Sequence, residues 1–463
     1  MVKTKPKLTE GPIFIRLFTF TVPIMLSGLL QIAYNMADSI VVGRFSGDDL
    51  ALAATGSTAS LITLIVNILM GIATGVSVVI AQHFGAKDWE RVERATHTAI
   101  TFAVISGICF SVISLLISST ALNLMGTKPE LFDRALLYFR IICLGIPAST
   151  VYNFGSSVLR SVGDSKTPLY ILFASGLVNV IFNLFFVIVC GMSVDGVATA
   201  TIVSQYLSAI AVIAVLIIRR CECYGLKLKK LGIDTGLLGR FLRYGVPTAI
   251  SSSVFSAANV LITSAANSLP TEALSARTIA GQVDNLVYVA MDAYTHSTMT
   301  FVAQNWGAGK LPRIKKTIFY SLLQVTIVGI GLGQLITLFS GSFVSLFMAP
   351  GTANGEAVAK YATDLIKFFL TYYFLCGIMN TLGGILRGLG NSLVPMVVNI
   401  VGVCGLRLAW IYVFFPMEMF HTLNGLYICY PLTWGFCIPL TAIALAVVWR
   451  KRRRITESEK ETK

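Results

Sequence analysis

Three of the 22 carboxylates in this 463-residue sequence stand inside long apolar stretches: Asp38, Asp284 and Asp292. A charge in hydrocarbon is costly, so each such acid is a candidate for function. A carboxylate there can take a proton, or bind sodium together with neighbouring oxygens. For Asp38 the competing reading is a helix-end acid facing water. Asp284, Tyr288, Asp292 and His296 follow one another at steps of four, which on a helix makes one slowly rotating polar stripe. The stripe is too expensive for lipid and should face a central cleft or Arg407, the basic residue inside a span. It could attract a cationic substrate or join an ion path. The alternative is a buried structural pair of Arg407 with Asp284 or Asp292. Asn179 and Asn183, four apart, share a helix face; helix–helix hydrogen bonding competes with ion ligation as their role. Pro23 and Pro247 sit inside long apolar segments, where proline removes a hydrogen bond and permits a hinge or a static kink.

Apolar stretches of about 20 residues, enough to cross roughly 30 Å at 1.5 Å per residue, must position these groups. Twelve are read, with generous ends: 13–43, 50–80, 93–120, 131–157, 167–190, 196–218, 241–267, 274–305, 317–348, 358–386, 393–416 and 423–449. Unbroken apolar runs predict helices rather than barrel strands. No cleavable signal peptide is expected, because the stretch after Phe14 runs past signal length without a small-residue cleavage site.

Charge sets the orientation. There are 36 Lys and Arg against 22 Asp and Glu, a net charge of +14, yet only 13% of residues are charged and 55% are hydrophobic. That excludes a soluble nucleic-acid binder and a disordered chain. Of the 36 basic residues, 28 fall at the termini and in alternate loops on one side, seven on the other, and Arg407 within a span. The excess of basic residues in cytoplasmic loops then puts both termini in the cytoplasm, with some attraction to anionic membrane lipids. The nine cysteines fall mostly within spans, where they act as small apolar residues. Cys221-x-Cys223 lacks nearby histidine partners for a metal.

Self-comparison reveals a repeat. Arg16-Leu-Phe-Thr-Phe-Thr-Val-Pro23 returns as Arg240-Phe-Leu-Arg-Tyr-Gly-Val-Pro247, and Ala81-Gln-His-Phe-Gly-Ala-Lys87 as Ala303-Gln-Asn-Trp-Gly-Ala-Gly309. Leu159-Arg-Ser-Val-Gly-Asp-Ser-Lys-Thr-Pro168 returns as Leu386-Arg-Gly-Leu-Gly-Asn-Ser-Leu-Val-Pro395, and Asp195-Gly-Val as Asn424-Gly-Leu. The offsets drift slowly through 224, 222, 227 and 229. Six helices per repeat give the halves one orientation, related by a pseudo-twofold axis along the membrane normal. The expected fold is therefore an all-α polytopic membrane protein of twelve transmembrane helices. It comprises an N-terminal six-helix bundle over 1–218, a basic linker over 219–240, a C-terminal bundle over 241–449 and a basic tail over 450–463. Two bundles around a cleft suit alternating access; a channel is disfavoured by the repeat. No Ser/His/Asp grouping, HExxH, GxGxxG or P-loop is found, so an enzyme or direct ATP drive is not expected.

The matched residues resemble the multidrug and toxic-compound extrusion (MATE) family over nearly the entire chain. The carriers are Tyr34-Asn-Met-Ala-Asp38-Ser-Ile-Val-Val-Gly43, Ala81-Gln-His-Phe-Gly-Ala86, Tyr152-Asn153-Phe-Gly155, the 159–168 segment, Phe301-Val-Ala-Gln-Asn-Trp-Gly-Ala308 and Leu386-Arg-Gly-Leu-Gly390. The resemblance implies a secondary transporter of the bacterial plasma membrane that exports amphiphilic, often cationic small molecules against entering protons or sodium. No other cofactor, no nucleic-acid partner and a monomer are expected. The resemblance also implies a coupling-ion site formed by Asp38 with Asn153, Asn179, Asn183, Tyr138 and Thr199, sodium at Asp38 being the one metal in view. Many relatives carry Asp where this chain has Asn183, which leaves Asp38 as the lone carboxylate of that cluster. Asp284, Tyr288, Asp292, His296 and Arg407 are then expected at the substrate cleft. The alternative within transport is a lipid-linked precursor flippase of the wider superfamily, which calls for a cationic cleft able to hold pyrophosphate.

Overall fold

The computed structural model describes residues 7–45, 48, 50–347 and 355–461. Lys3 and Lys5 of the basic N-terminal arm lie outside the described residues. Among the described residues there is no β-strand. In chain order the helices begin with α1 (Ile13–Phe45), α2 (Ala51–Gly85), α3 (Trp89–Leu124) and α4 (Pro129–Ser161). Next come α5 (Lys166–Leu184), which continues through a π-helical stretch Phe185–Val189, α6 (Val194–Ile218), α7 (Thr235–Ala266) and α8 (Thr271–Gly307). Then follow α9 (Leu311–Leu338), the short α10 (Ser340–Phe347), α11 (Gly355–Thr371) and α12 (Tyr373–Gly388). The last are α13 (Leu393–Val398), the single turn α14 (Leu406–Ala409), α15 (Leu423–Tyr427) and α16 (Cys429–Glu461). Two π-helical stretches, Asn399–Gly405 and Trp410–Phe414, join α13 and α14 into one span.

Among the described residues ten helices are long and apolar enough to cross a membrane, and α11 with α12, bent by 44°, makes an eleventh if the pair is taken as one broken span. The remaining span of the sequence reading is α8. It is 37 residues long, but the Asp284–His296 stripe dilutes its apolar character. The chain is a polytopic all-α membrane protein.

The repeat is visible in the backbone. Gly163 and Gly390, at corresponding positions, both take a positive φ, 93° and 79°, a conformation that glycine adopts without a Cβ clash. The residue after each then caps the next helix: Asp164 Oδ1 accepts from Thr167 N at 3.0 Å, and Asn391 Oδ1 from Val394 N at 3.3 Å. Lys87 and Gly309, also corresponding, take φ of 59° and 67°.

Contacts group the chain into two compact units. Unit 1 is Met1–Gly11, Val22–Ala249 and Gly307–Gly309; unit 2 is Pro12–Thr21, Ile250–Trp306 and Lys310–Lys463. The contact boundaries fall inside α1, inside α7 and around Gly307–Gly309, and unit 1 shows how residues 219–249 are held. Glu93 takes Lys227 at 2.9 Å and Lys230 at 3.0 Å, Asp164 takes Arg219 at 2.6 Å, and Arg240 bonds His83 at 2.9 Å. The start of α7 then packs on α2 almost backbone to backbone. A Cβ on Gly75 would meet Phe241 O at 2.2 Å, and one on Gly71 would meet Ala249 Cα at 2.4 Å. Cys223 is buried in the same core as Val76, Phe84 and Phe241. Burial alone would raise the Asp164 carboxyl, but its bonds from Thr167 and Arg219 outweigh this and hold it below the usual carboxylate range.

Candidate functional site

In unit 1 the site is set by how α1 meets α5. Gly176 leaves room for the Tyr34 ring, which a Cβ would meet at 1.8 Å, and Tyr34 Oη donates to Phe173 O at 3.3 Å. One turn on, α1 delivers Asp38 to the next turns of α5. Asn183 Nδ2 donates to Asp38 Oδ1 at 2.5 Å and to Asn179 Oδ1 at 3.3 Å. From α6, Thr201 Oγ1 donates to Asp38 Oδ2 at 3.4 Å. Asn183 is fully buried, and its Oδ1 has no hydrogen-bond partner. An orphaned buried oxygen is costly unless something occupies it. The cluster therefore offers two carboxylate oxygens, a hydroxyl and a spare amide oxygen, a donor set suited to a proton or a hard cation.

The other residues implied by the resemblance are placed differently. Thr199 Oγ1 bonds the Asp195 carbonyl on its own helix at 2.7 Å; the threonine that reaches Asp38 is Thr201. Asn153 Nδ2 points along α4 to Ser149 Oγ at 3.4 Å. Tyr138 packs against the apolar cluster that includes Val41 and Val42, next to the acid. Pro23 and Pro247 both lie inside helices. Ser27 Oγ donates to the Pro23 carbonyl at 2.8 Å, whereas Pro247 belongs to the tightly packed start of α7. Between α2, α4 and α6 lies a mainly apolar cavity lined by Ile62, Leu69, Phe139, Ile146, Ser149 and Gln205.

In unit 2 the stripe on α8 is taken up residue by residue. Asp284 accepts from Tyr373 Oη at 2.5 Å and borders a small cavity with Leu365, Phe369 and Tyr427. Tyr288 stacks on Phe255 with ring centroids 6.4 Å apart, and His296 Nε2 lies 3.5 Å from Asp292 Oδ2. Arg407 on α14 is 1% exposed. The ion pair with Asp284 or Asp292 is not formed. Its Nη1 donates instead to Asn259 Oδ1 at 2.8 Å, and its guanidinium lies 4.2 Å from the Tyr430 ring centroid and 5.1 Å from that of Phe255. Aromatic faces and one amide replace the carboxylate, since each ring face attracts a cation.

The two clusters draw on corresponding spans of the repeat, with the charge carried at a different position in each. The 224 offset that aligns Pro23 with Pro247 sets Asp38 against Ile262 and Asn35 against Asn259. The 227 offset sets Val180, between Asn179 and Asn183, against Arg407; the 229 offset sets Thr201 against Tyr430. Each cluster thus draws on the first, fifth and sixth spans of its half, with a carboxylate in one and a guanidinium in the other.

Thr201, Asn259, Tyr430 and Tyr373 are the contacts that sequence reasoning missed. Thr201 had a signal: Thr201, Ser204, Gln205 and Ser208 make a polar stripe on an otherwise apolar α6, and Thr199 lies off it. Asn259 and Tyr430 align with Asn35 and Thr201, neither of them a candidate, so the repeat alone carried no signal for either.

An all-α polytopic fold with buried polar clusters in repeated halves defines a membrane-transport architecture rather than a soluble scaffold. The MatE family profile matches residues 23–185 and 247–413, two copies that begin at Pro23 and Pro247. The chain belongs to this family. It is 28% identical over 462 residues to the probable multidrug resistance protein YoeA of Bacillus subtilis (strain 168), covering 97% of this chain and 96% of that one. It is 24% identical over 415 residues to the probable multidrug resistance protein NorM of Thermotoga maritima, covering 87% and 86%. A solved outward-facing multidrug resistance MATE family transporter of the MOP superfamily shares the fold. Its TM-score is 0.89 at 19% identity, covering 96% of this chain and 98% of that one.

Proposed function

We propose that this chain is a cation-coupled exporter of small amphiphilic compounds, multi-pass in a bacterial plasma membrane with both termini cytoplasmic. The observation that carries this reading is the Asp38 cluster: one carboxylate within a span, held by Asn183 and Thr201, beside an amide oxygen that nothing satisfies.

The cluster can serve two states with the same side chains. With Asp38 ionised, Asn183 Nδ2 and Thr201 Oγ1 donate to it. When a proton arrives, the carboxyl gains one O–H donor and loses acceptor strength, and a turn of the Asn183 amide brings its free oxygen round as the acceptor for that hydrogen. When sodium arrives, the same oxygen completes a ligand set with the carboxylate and the hydroxyl. Either cation neutralises the acid and weakens the bonds that tie α1 to α5 and α6. Pro23, about four turns earlier on α1, interrupts that helix's own hydrogen bonding and gives it a place to bend. Ion occupancy and the shape of α1 are thereby linked, as exchange by alternating access needs. The small, mainly apolar cavity among α2, α4 and α6 offers an apolar group of a substrate one surface to pack on.

Ethidium efflux from vesicles, with a pH gradient and a sodium gradient imposed separately, tests the coupling. Efflux driven by one gradient and lost in Asp38→Asn is the expected result. Efflux indifferent to both gradients overturns the coupling. Flux far above carrier rates, or the flipping of a lipid-linked pyrophosphate without ion exchange, overturns export.

A further inference from the structure

Arg407 is a cation buried to 1% exposure with one hydrogen bond, from Nη1 to Asn259. Its Nε and Nη2 are buried and have no partner. Those two nitrogens form one edge of the guanidinium, the side-on fork that matches the two oxygens of a carboxylate. Leaving the fork empty in a membrane interior is expensive, so a buried cation with a bare edge needs something to take it up. The two rings that flank it stabilise the face of the guanidinium and cannot accept from its edge.

We propose that Arg407 anchors a carboxylate subsite in the C-terminal half, so that the exported amphiphiles include compounds bearing a carboxylate as well as an amine. This deepens the export reading and rests on it. The repeat supports it independently. Asp38 corresponds to Ile262 and Arg407 to Val180, but both charges stand in clusters drawn from the first, fifth and sixth spans of their halves, so the half that carries the guanidinium has the polarity for an anion where its counterpart has that for a cation. A monoanion fits better than a dianionic phosphate. One guanidinium supplies a single positive charge, and Asp284, held by Tyr373, is close enough for its own charge to act on Arg407. Arg407 sits on a single α-helical turn between two π-helical stretches. Such interruptions recur at functional sites.

The test is binding to the solubilised full chain, with no gradient, of three matched aromatic amines that end in a carboxylate, a primary amide or a phosphonate. Wild type should bind the carboxylate at least about tenfold more tightly than the amide, the gain of a charge-assisted pair. The phosphonate should bind more weakly than the carboxylate. Arg407→Gln should erase the carboxylate preference, and Arg407→Lys should keep part of it, as a point charge without the fork. Equal binding of carboxylate and amide by wild type overturns the proposal, and needs no variant to fold. Equal weakening of both in Arg407→Gln marks a structural cation and overturns it too. A preference for phosphonate overturns the carboxylate assignment. Because no ion gradient enters, these outcomes are separate from a failure of coupled export.

Discussion

The two halves of this protein repeat the same helices and put opposite charges into clusters drawn from the same three spans. In the N-terminal half, α1, α5 and α6 bring Asp38, Asn183 and Thr201 together. In the C-terminal half, the corresponding spans bring Asn259, Arg407 and Tyr430 together. The first cluster is satisfied by short side chains that hydrogen-bond and leaves an oxygen over. The second is satisfied by ring faces and leaves two N–H groups over. The lesson is that a duplicated scaffold conserves the geometry of a buried polar site while the sign of what it can hold is free to change. Gly176 and Val403 show how local the change is: glycine admits Tyr34 in the first half, and a buried valine fills the corresponding position in the second.

The largest effect separating the halves should come from Asp38→Asn. Efflux driven by the coupling ion should fall to that of vesicles lacking the protein, with membrane insertion unchanged; normal resistance in cells expressing the variant would remove the N-terminal site. Gly176→Ala comes next. Its Cβ displaces the Tyr34 ring and should lower stability by about 1–3 kcal/mol, seen as a lower thermal midpoint together with weaker ion binding. Thermal stability falling with ion binding intact would break the link between the α1–α5 contact and the site. Thr201→Val should weaken cation binding by about fivefold, the loss of roughly 1 kcal/mol of hydrogen bonding, while Thr199→Val should leave it unchanged. Titration calorimetry on both variants decides between the two threonines, and the reverse pattern would discard the contact with Asp38.

The smallest effect concerns the caps. Asp164→Asn gives the first half the residue that the second already has at Asn391, and removes the charge that Arg219 meets at 2.6 Å. With Arg219 about one-third exposed, the loss should be about 0.5–1 kcal/mol at neutral pH. Since the folded Asp164 carboxyl lies below its ordinary range, its contribution is present above the unfolded value and disappears as pH falls through the folded one. The stability difference between wild type and Asp164→Asn should therefore vanish in acid. A difference that persists there would mean the charge is not its source.

Much of this was legible in the sequence because hydrocarbon imposes strong rules. Apolar runs gave the spans, and intramembrane acids announced themselves by their cost. The repeat aligned Gly163 with Gly390, and the backbone gives both a positive φ. α8 sits at the edge of the same rule, since the polar stripe that makes it interesting also dilutes its apolar signal. The partners of each charge were less legible. Asp284 pairs with a tyrosine hydroxyl from α12, and Arg407 with an amide and two rings. Pattern reading favours opposite charges, whereas aromatic and amide partners are common in apolar spans and carry no signal by themselves. Thr199 and Thr201 differ by two residues, and helix phase alone separates them.

The docking of residues 219–249 onto the first unit has a consequence for how the gene's duplication can be handled. The second copy begins near Arg240, yet its first two turns pack on Gly71 and Gly75 of the first copy, so the unit of inheritance and the unit of packing do not share a boundary. A chimaera joined at 240 would swap α7 away from the helix it was fitted to, while one joined after Ala249 would carry that fit intact. At α7, the helix that a cut at 240 would divide, the packing boundary lies after Ala249 rather than at the start of the repeat.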